Sequence, residues 1–209
     1  MKNMNYFLDL ANYAKELLDS LPIERTPQPL DYAVGKLYGI IADQKDEEVA
    51  KLKKIKNDYA HKKQNLDVPI GLNTIGMLTD RFTILLIKEW SLRNKSNDEA
   101  KAIDLFNSQT KEIIEALSSA IPGNSSINSK ITNIKTDIQA KDWEEAFFGL
   151  LTINLVLWES QEILYIKDIS LLPSEELRAY IHWFAHGNMK RNVLIELSEL
   201  RYWEQFNLN

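Results

Sequence analysis

Three groups of polar side chains in this sequence have types and spacings that could do chemistry. The first is the string Leu52-Lys-Lys-Ile-Lys-Asn-Asp-Tyr-Ala-His61. Wound as a helix, it puts Leu52, Ile55 and Tyr59 on an apolar face and stacks Lys53, Asn57 and His61 at i, i+4 and i+8 on the opposite side. His61 therefore stands on a basic face rather than in a core, and an imidazole changes charge near neutral pH. Between Lys51 and Lys63 six lysines meet one acid, Asp58, so this segment is basic although the whole chain carries −5. Such a patch can meet an anion such as RNA, and the ordinary account of it is a solvated helix face.

The second group is Tyr180-Ile-His-Trp-Phe-Ala-His186, which sets His182 and His186 about 40° apart on one helical face, half of a metal site. Arg178 lies on that face one turn earlier, and a cation disfavours a bound metal, so a pair of partly exposed histidines is the simpler account. The pairs Glu159/Glu162 and Glu196/Glu199 place carboxylates at i, i+3, a spacing that can build a divalent-metal cluster in a bundle. Neither carries the Glu-x-x-His of di-iron bundles, and surface or network acids explain them more simply. No metal ligand set and no cofactor is expected.

The third group interrupts an apolar helix. The run from Ala146 to Trp158 admits Asn154 and leads into Glu159 and Glu162. These polar groups would be costly if buried without partners, and the nearest donors in sequence are Arg178, Lys190 and Arg191 on the following helix. Asn154, Trp158, Glu159 and Arg178 are accordingly the candidate binding residues of a pocket in the bundle core. A satisfied structural network is the alternative.

The first string resembles the short motif of HEPN proteins, in which an Arg, a polar residue and a later His close a helix. Lys56, Asn57 and His61 stand in those places, with four residues between Lys56 and His61. The resemblance implies metal-independent cleavage of RNA at a site shared by two protomers. His61 would then be the general acid or base, and Lys56 with Lys53 would hold the phosphate. Lys56 replaces the family's Arg, and an ammonium lacks the planar bidentate fork, so the motif also fits a non-catalytic HEPN-like bundle. The three histidines together are similar in arrangement to those of DinB-like four-helix proteins, which hold a metal with one early and two late histidines, though the surrounding tripeptide patterns are not present.

A broader likeness rests on Asp80-Arg-Phe-Thr-Ile-Leu-Leu-Ile-Lys88, Asn154-Leu-Val-Leu-Trp-Glu159, and Asn188-Met-Lys-Arg-Asn192 followed by Ile195-Glu196. These blocks look like those of uncharacterised bacterial and phage helical proteins that carry D-R/K-L-x-I-L-x-x-K, N-x-x-L-W-x-x-E-D and R-N-x-x-I-E. Here Gln161-Glu162 stands where that pattern has Glu-Asp. The likeness spans residues 80 to 199 and implies an all-α fold with a polar-studded central helix.

The elements that must position these residues are helices. Apolar residues recur at three and four nearly everywhere, with no convincing period-two alternation, which predicts an all-α bundle of about eight helices in a single domain, with a possible seam near 120–129. The helices fall at 4–20, 30–43, 46–63, 72–94, 98–120, 126–139, 142–168 and 173–205, separated by Pro22, Pro27, Pro29, Pro69, Pro122 and Pro173. Ser174 reads as an N-cap with Glu175 and Glu176 near the positive helix end. The helix at 142–168, apolar on all sides, reads as the centre.

Composition excludes much. With 7 Gly and 6 Pro in 209 residues, low-complexity and turn-rich all-β readings lose their weight. With no cysteine there is no thiolate nucleophile, disulfide framework or iron–sulfur cluster. No glycine-rich phosphate loop, G-x-S-x-G elbow or H-E-x-x-H occurs. The N-terminal segment reads as a helix rather than a signal peptide, because Asp9 interrupts its apolar run, and no apolar run approaches the roughly 20 residues of a membrane span. The expectation is a cytoplasmic, non-enzymatic binding or interaction protein of a bacterial or phage system. It would have a protein partner or a second copy of itself, with RNA as an alternative partner of residues 51–63 and no membrane. The competing expectations are the HEPN-like RNA-binding protein or ribonuclease and a metal-binding helical-bundle enzyme.

Overall fold

The computed structural model describes residues 2–21, 74–95, 100–120, 138–166 and 171–206. Five helices run through them: α1 (Lys2–Ser20), α2 (Ile75–Lys95), α3 (Ala100–Ser118), α4 (Trp143–Ile166) and α5 (Ser174–Phe206). No strand occurs among the described residues, so the architecture is all-α. Each of the five starts and stops within a few residues of its sequence expectation. The helices expected at 30–43 and 46–63, and residues 126–137 of the one expected at 126–139, lie outside the described residues, while Ile138 and Gln139 are not helical.

Side chains set the helix starts. Thr74 caps α2: its Oγ1 accepts the Met77 N–H at 3.2 Å, and its carbonyl accepts the first helical bond from Leu78. A second amide of that turn without an intrahelical partner, Gly76 N–H, donates to Glu199 of α5 at 2.6 Å. Asp142 caps α4 by accepting the Glu145 N–H at 3.0 Å, and Glu145 in turn accepts the Lys141 N–H at 2.8 Å. In α5 the first helical bond runs from Leu177 to the carbonyl of Pro173. This makes Pro173 the cap and moves Ser174 one place inside the helix, with Glu175 and Glu176 still at the positive end.

Among the described helices the middle is shared by two, a correction to the reading of 142–168 as the single centre. α2 packs against α3, α4 and α5, and less extensively against α1. α4 is nonetheless buried on all sides, through Phe147, Phe148, Leu150, Leu151, Ile153, Leu155 and Val156. Sequence hides the role of α2 because threonines and an acid dilute its apolar pattern. The threonines are buried at no hydrogen-bonding cost: Thr79 Oγ1 donates to the Ile75 carbonyl and Thr83 Oγ1 to the Asp80 carbonyl, each at 2.8 Å. Their remaining lone pairs accept from α4, Trp143 Nε1 at 3.3 Å and Asn154 Nδ2 at 2.9 Å.

An aromatic cluster joins α1, α4 and α5. Phe7 meets Trp143 edge-on at 5.4 Å, and Tyr202 lies 4.7 Å from Phe206. Such pairs contribute about 0.5–1.5 kcal/mol each beyond the area they bury. Beside them the buried Glu144 accepts from Tyr6 Oη at 2.5 Å and Gln205 Nε2 at 2.8 Å, and Tyr202 donates to the Leu117 carbonyl near the end of α3. Burial, reinforced by the Glu144 charge, holds the Tyr6 hydroxyl proton well above the ordinary tyrosine range; burial does the same at Tyr202. α2 and α5 approach closely at Gly76, where an added Cβ would lie 2.3 Å from the Ile195 carbonyl oxygen. No helix among the described residues is long and apolar enough to cross a membrane.

Candidate ligand-binding cleft

α2 carries Met77, Arg81, Ile84 and Lys88 at spacings of four, three and four, which places them on one stripe of the helix. α3 answers with Gln109, Glu112 and Ile113, again at helical spacing, and Arg191 reaches in from α5. These residues surround a cleft of about 640 Å³, also lined by Leu78, Asp80 and Leu85. Small-molecule sites commonly enclose about 300–1,000 Å³.

One wall of the cleft is a polar network contributed by three helices. Arg191 grips Asp80 with two bonds, Nε to Oδ1 at 2.8 Å and Nη2 to Oδ2 at 2.6 Å. Asn154 of α4 adds a third donor to Oδ1 at 3.0 Å while also donating to Thr83. Asp80 and Asn154 are buried, at 7% and 6% exposure, so each requires these partners. The bidentate guanidinium fixes direction as well as charge. Both Asp80 oxygens are engaged, and the group is a braced wall.

The remaining polar groups of the cleft are not consumed in this way. Arg81 and Glu112 are exposed and Gln109 is half-buried, and among the described residues their side chains make no hydrogen bond or ion pair. Lys88 is half-buried with its Nζ 5.6 Å from the centroid of the Phe106 ring, within cation–π range.

The residues singled out from sequence fare differently. Asn154 sits at the back of the cleft wall, but its partners come from α2, not from the next helix in sequence. An amide nitrogen needs acceptors, and α2 supplies a carboxylate and a hydroxyl. Of the donors expected on α5, Arg191 joins the network through Asp80, whereas Arg178 is exposed thirteen residues earlier, about 20 Å along the helix. Trp158 and Glu159 are half-buried on α4 beyond Asn154. Lys53, Lys56, Asn57 and His61 lie outside the described residues. His182 and His186 are exposed with ring centroids 4.2 Å apart, and no group of three or more metal-ligating side chains converges among the described residues. Glu199 is a structural acid: besides Gly76 it accepts the Trp203 indole N–H at 2.6 Å.

Sequence reasoning did not pick out Arg81, Lys88, Gln109 and Glu112. The signal for the first two was present, as cations seven residues apart on one stripe of a helix that is otherwise mostly buried. No family model, no curated protein and no solved structure matches the chain.

Proposed function

We propose that this chain is a non-enzymatic binding protein and that the cleft between α2, α3 and α5 receives a small ligand. One observation carries the reading: the Asp80–Arg191–Asn154 network braces one wall, while Arg81, Gln109 and Glu112 face the same space without partners among the described residues. A fixed wall beside uncommitted polar groups on an apolar floor is the arrangement of a preformed ligand site. Binding is favoured over catalysis because the strongest acid–base contact of the cleft, Asp80 with Arg191, is closed on itself as a bidentate pair.

Thermal unfolding with a charge-balanced panel of small compounds tests this, using wild type beside Gln109→Trp, which fills the cleft from α3. Compounds that bind the folded state at about 100 times Kd add about 2.7 kcal/mol of stability, and Gln109→Trp should abolish that gain. Stabilisation that survives Gln109→Trp, or a panel in which nothing stabilises, overturns the reading. A single-stranded RNA arm with chelator present addresses the HEPN-like alternative: cleavage lost in His61→Ala would replace binding with a ribonuclease activity.

A further inference from the structure

We infer that the ligand of this cleft is a small organic anion, an acidic head group on an apolar body; the inference rests on the cleft being a ligand site. Charge is the first argument. Of the ionised groups lining the cleft, Asp80 and Arg191 neutralise each other through two short bonds. That leaves two cations on α2, Arg81 and Lys88, against one carboxylate on α3, Glu112. The chain as a whole is −5, so attraction for an anion is a property of this cleft and not of the molecule.

Geometry gives the shape. Arg81 and Lys88 are seven residues apart on one helix, about 10 Å along its axis, and Ile84 lies between them on the same stripe. With Ile113 opposite, a molecule lying along α2 meets a cation at either end and aliphatic carbon in the middle. The exposed Arg81 guanidinium offers a planar fork that suits a carboxylate, sulfonate or phosphate, and no residue among those described occupies it. Gln109 across the cleft can both donate and accept. Glu112 repels an anionic head, which places the head on the α2 side and gives the inference a sign.

The test is isothermal titration calorimetry with three probes: naphthalene-1-sulfonate, its cationic counterpart 1-naphthylmethylammonium, and inorganic phosphate. Methyl NMR of Ile84 and Ile113 reports where each one sits. Naphthalene-1-sulfonate should bind one to one, shift both methyl signals, and bind about tenfold more tightly than either other probe. Arg81→Gln and Lys88→Gln should each weaken it about two- to fivefold, the range for exposed charge pairs, and Glu112→Gln should strengthen it by a similar factor. The ammonium probe binding more tightly, with the three variants reversed in sign, overturns the inference and leaves the cleft as a ligand site. Phosphate binding as tightly as the sulfonate overturns the apolar body. Binding that leaves Ile84 and Ile113 unmoved, or no binding of any probe, overturns the inference; only when the compound panel also fails to stabilise wild type does the cleft reading fall with it.

Discussion

Replacing Arg191 with Met asks how much of the bundle depends on the wall of its cleft. The substitution keeps most of the aliphatic length of the side chain but removes two charge-assisted bonds to Asp80, at 2.8 and 2.6 Å. Bonds to charged groups contribute about 1.5–3 kcal/mol each, which sets an upper bound of roughly 3–6 kcal/mol. Two features lower it. The Arg191 side chain is 23% exposed and that of Asp80 10%, so water reaches part of the stranded carboxylate. Asn154 also continues to donate to Oδ1. The expected loss is therefore about 2–4 kcal/mol, below the roughly 3–5 kcal/mol seen when a fully buried pair loses one partner. At about 2–4 °C per kcal/mol for a chain of this size, the melting temperature should fall by about 4–16 °C. The double variant Asp80→Leu/Arg191→Met leaves no charge stranded, and Asn154 keeps its bond to Thr83, so it should be more stable than Arg191→Met by about 2 kcal/mol. Urea denaturation of the four chains at constant m value reads out the cycle. A loss below about 1 kcal/mol in Arg191→Met, or costs that simply add, would refute the network as a structural brace.

Two further outcomes follow from the packing and the buried hydroxyls. Gly76→Ala drives a Cβ to 2.3 Å from a backbone oxygen of α5, whereas Gly149→Ala and Gly187→Ala meet only leucine methyl groups at 2.8 and 2.9 Å. Gly76→Ala should cost about 2 kcal/mol or more, while the other two stay within about 1 kcal/mol of wild type because the gain in helix propensity offsets the crowding; thermal melts that rank them otherwise contradict this packing. Tyr6 and Tyr202 keep their protons in the folded state well above the ordinary range. The unfolded chain releases them near pH 10, so their contribution is complete below about pH 10 and falls above it by about 1.4 kcal/mol per pH unit for each tyrosine. Denaturant midpoints from pH 9 to 11 should fall less steeply in Tyr6→Phe and in Tyr202→Phe than in wild type.

Sequence was most legible where helical periodicity speaks alone. The boundaries of α1 to α5 were legible from apolar spacing and from breakers such as Pro173, because these act within a turn of the residue that carries them, whereas the caps Thr74 and Asp142 come from the structure. Partner choice is a different matter. Periodicity says which side of a helix is apolar, not which helix lies there, so proximity in sequence points to α5 whereas the partners of Asn154 stand 74 and 71 residues upstream on α2. A signal was present nonetheless. Asp80 stands among Leu78, Thr79, Phe82, Thr83, Leu85 and Leu86, and an acid in so buried a segment requires a cation and further donors. Read as a demand rather than as a motif, Asp80 would have pointed to Arg191 and Asn154, which the same three sequence blocks contain.

The cleft itself had no sequence signature, since it is the space left between three helices, and its persistence calls for a physical reason. α2 and α3 share one apolar cluster that includes Leu85, Ile113, Ile114 and Leu117, and burying more surface between them would be favourable on area alone. Closing the gap would, however, enclose Arg81, Gln109 and Glu112, and burying a charge without a matched partner costs several kcal/mol. The charges on opposite walls do not offset this, for two cations face one carboxylate. On the third side the Asp80–Arg191 pair cannot retreat, because Asn154 ties it to the buried face of α4. The groups proposed to receive a ligand are thus the same ones that keep the helices from collapsing on each other. A ligand that matches their charge would complete the packing that the described helices leave open.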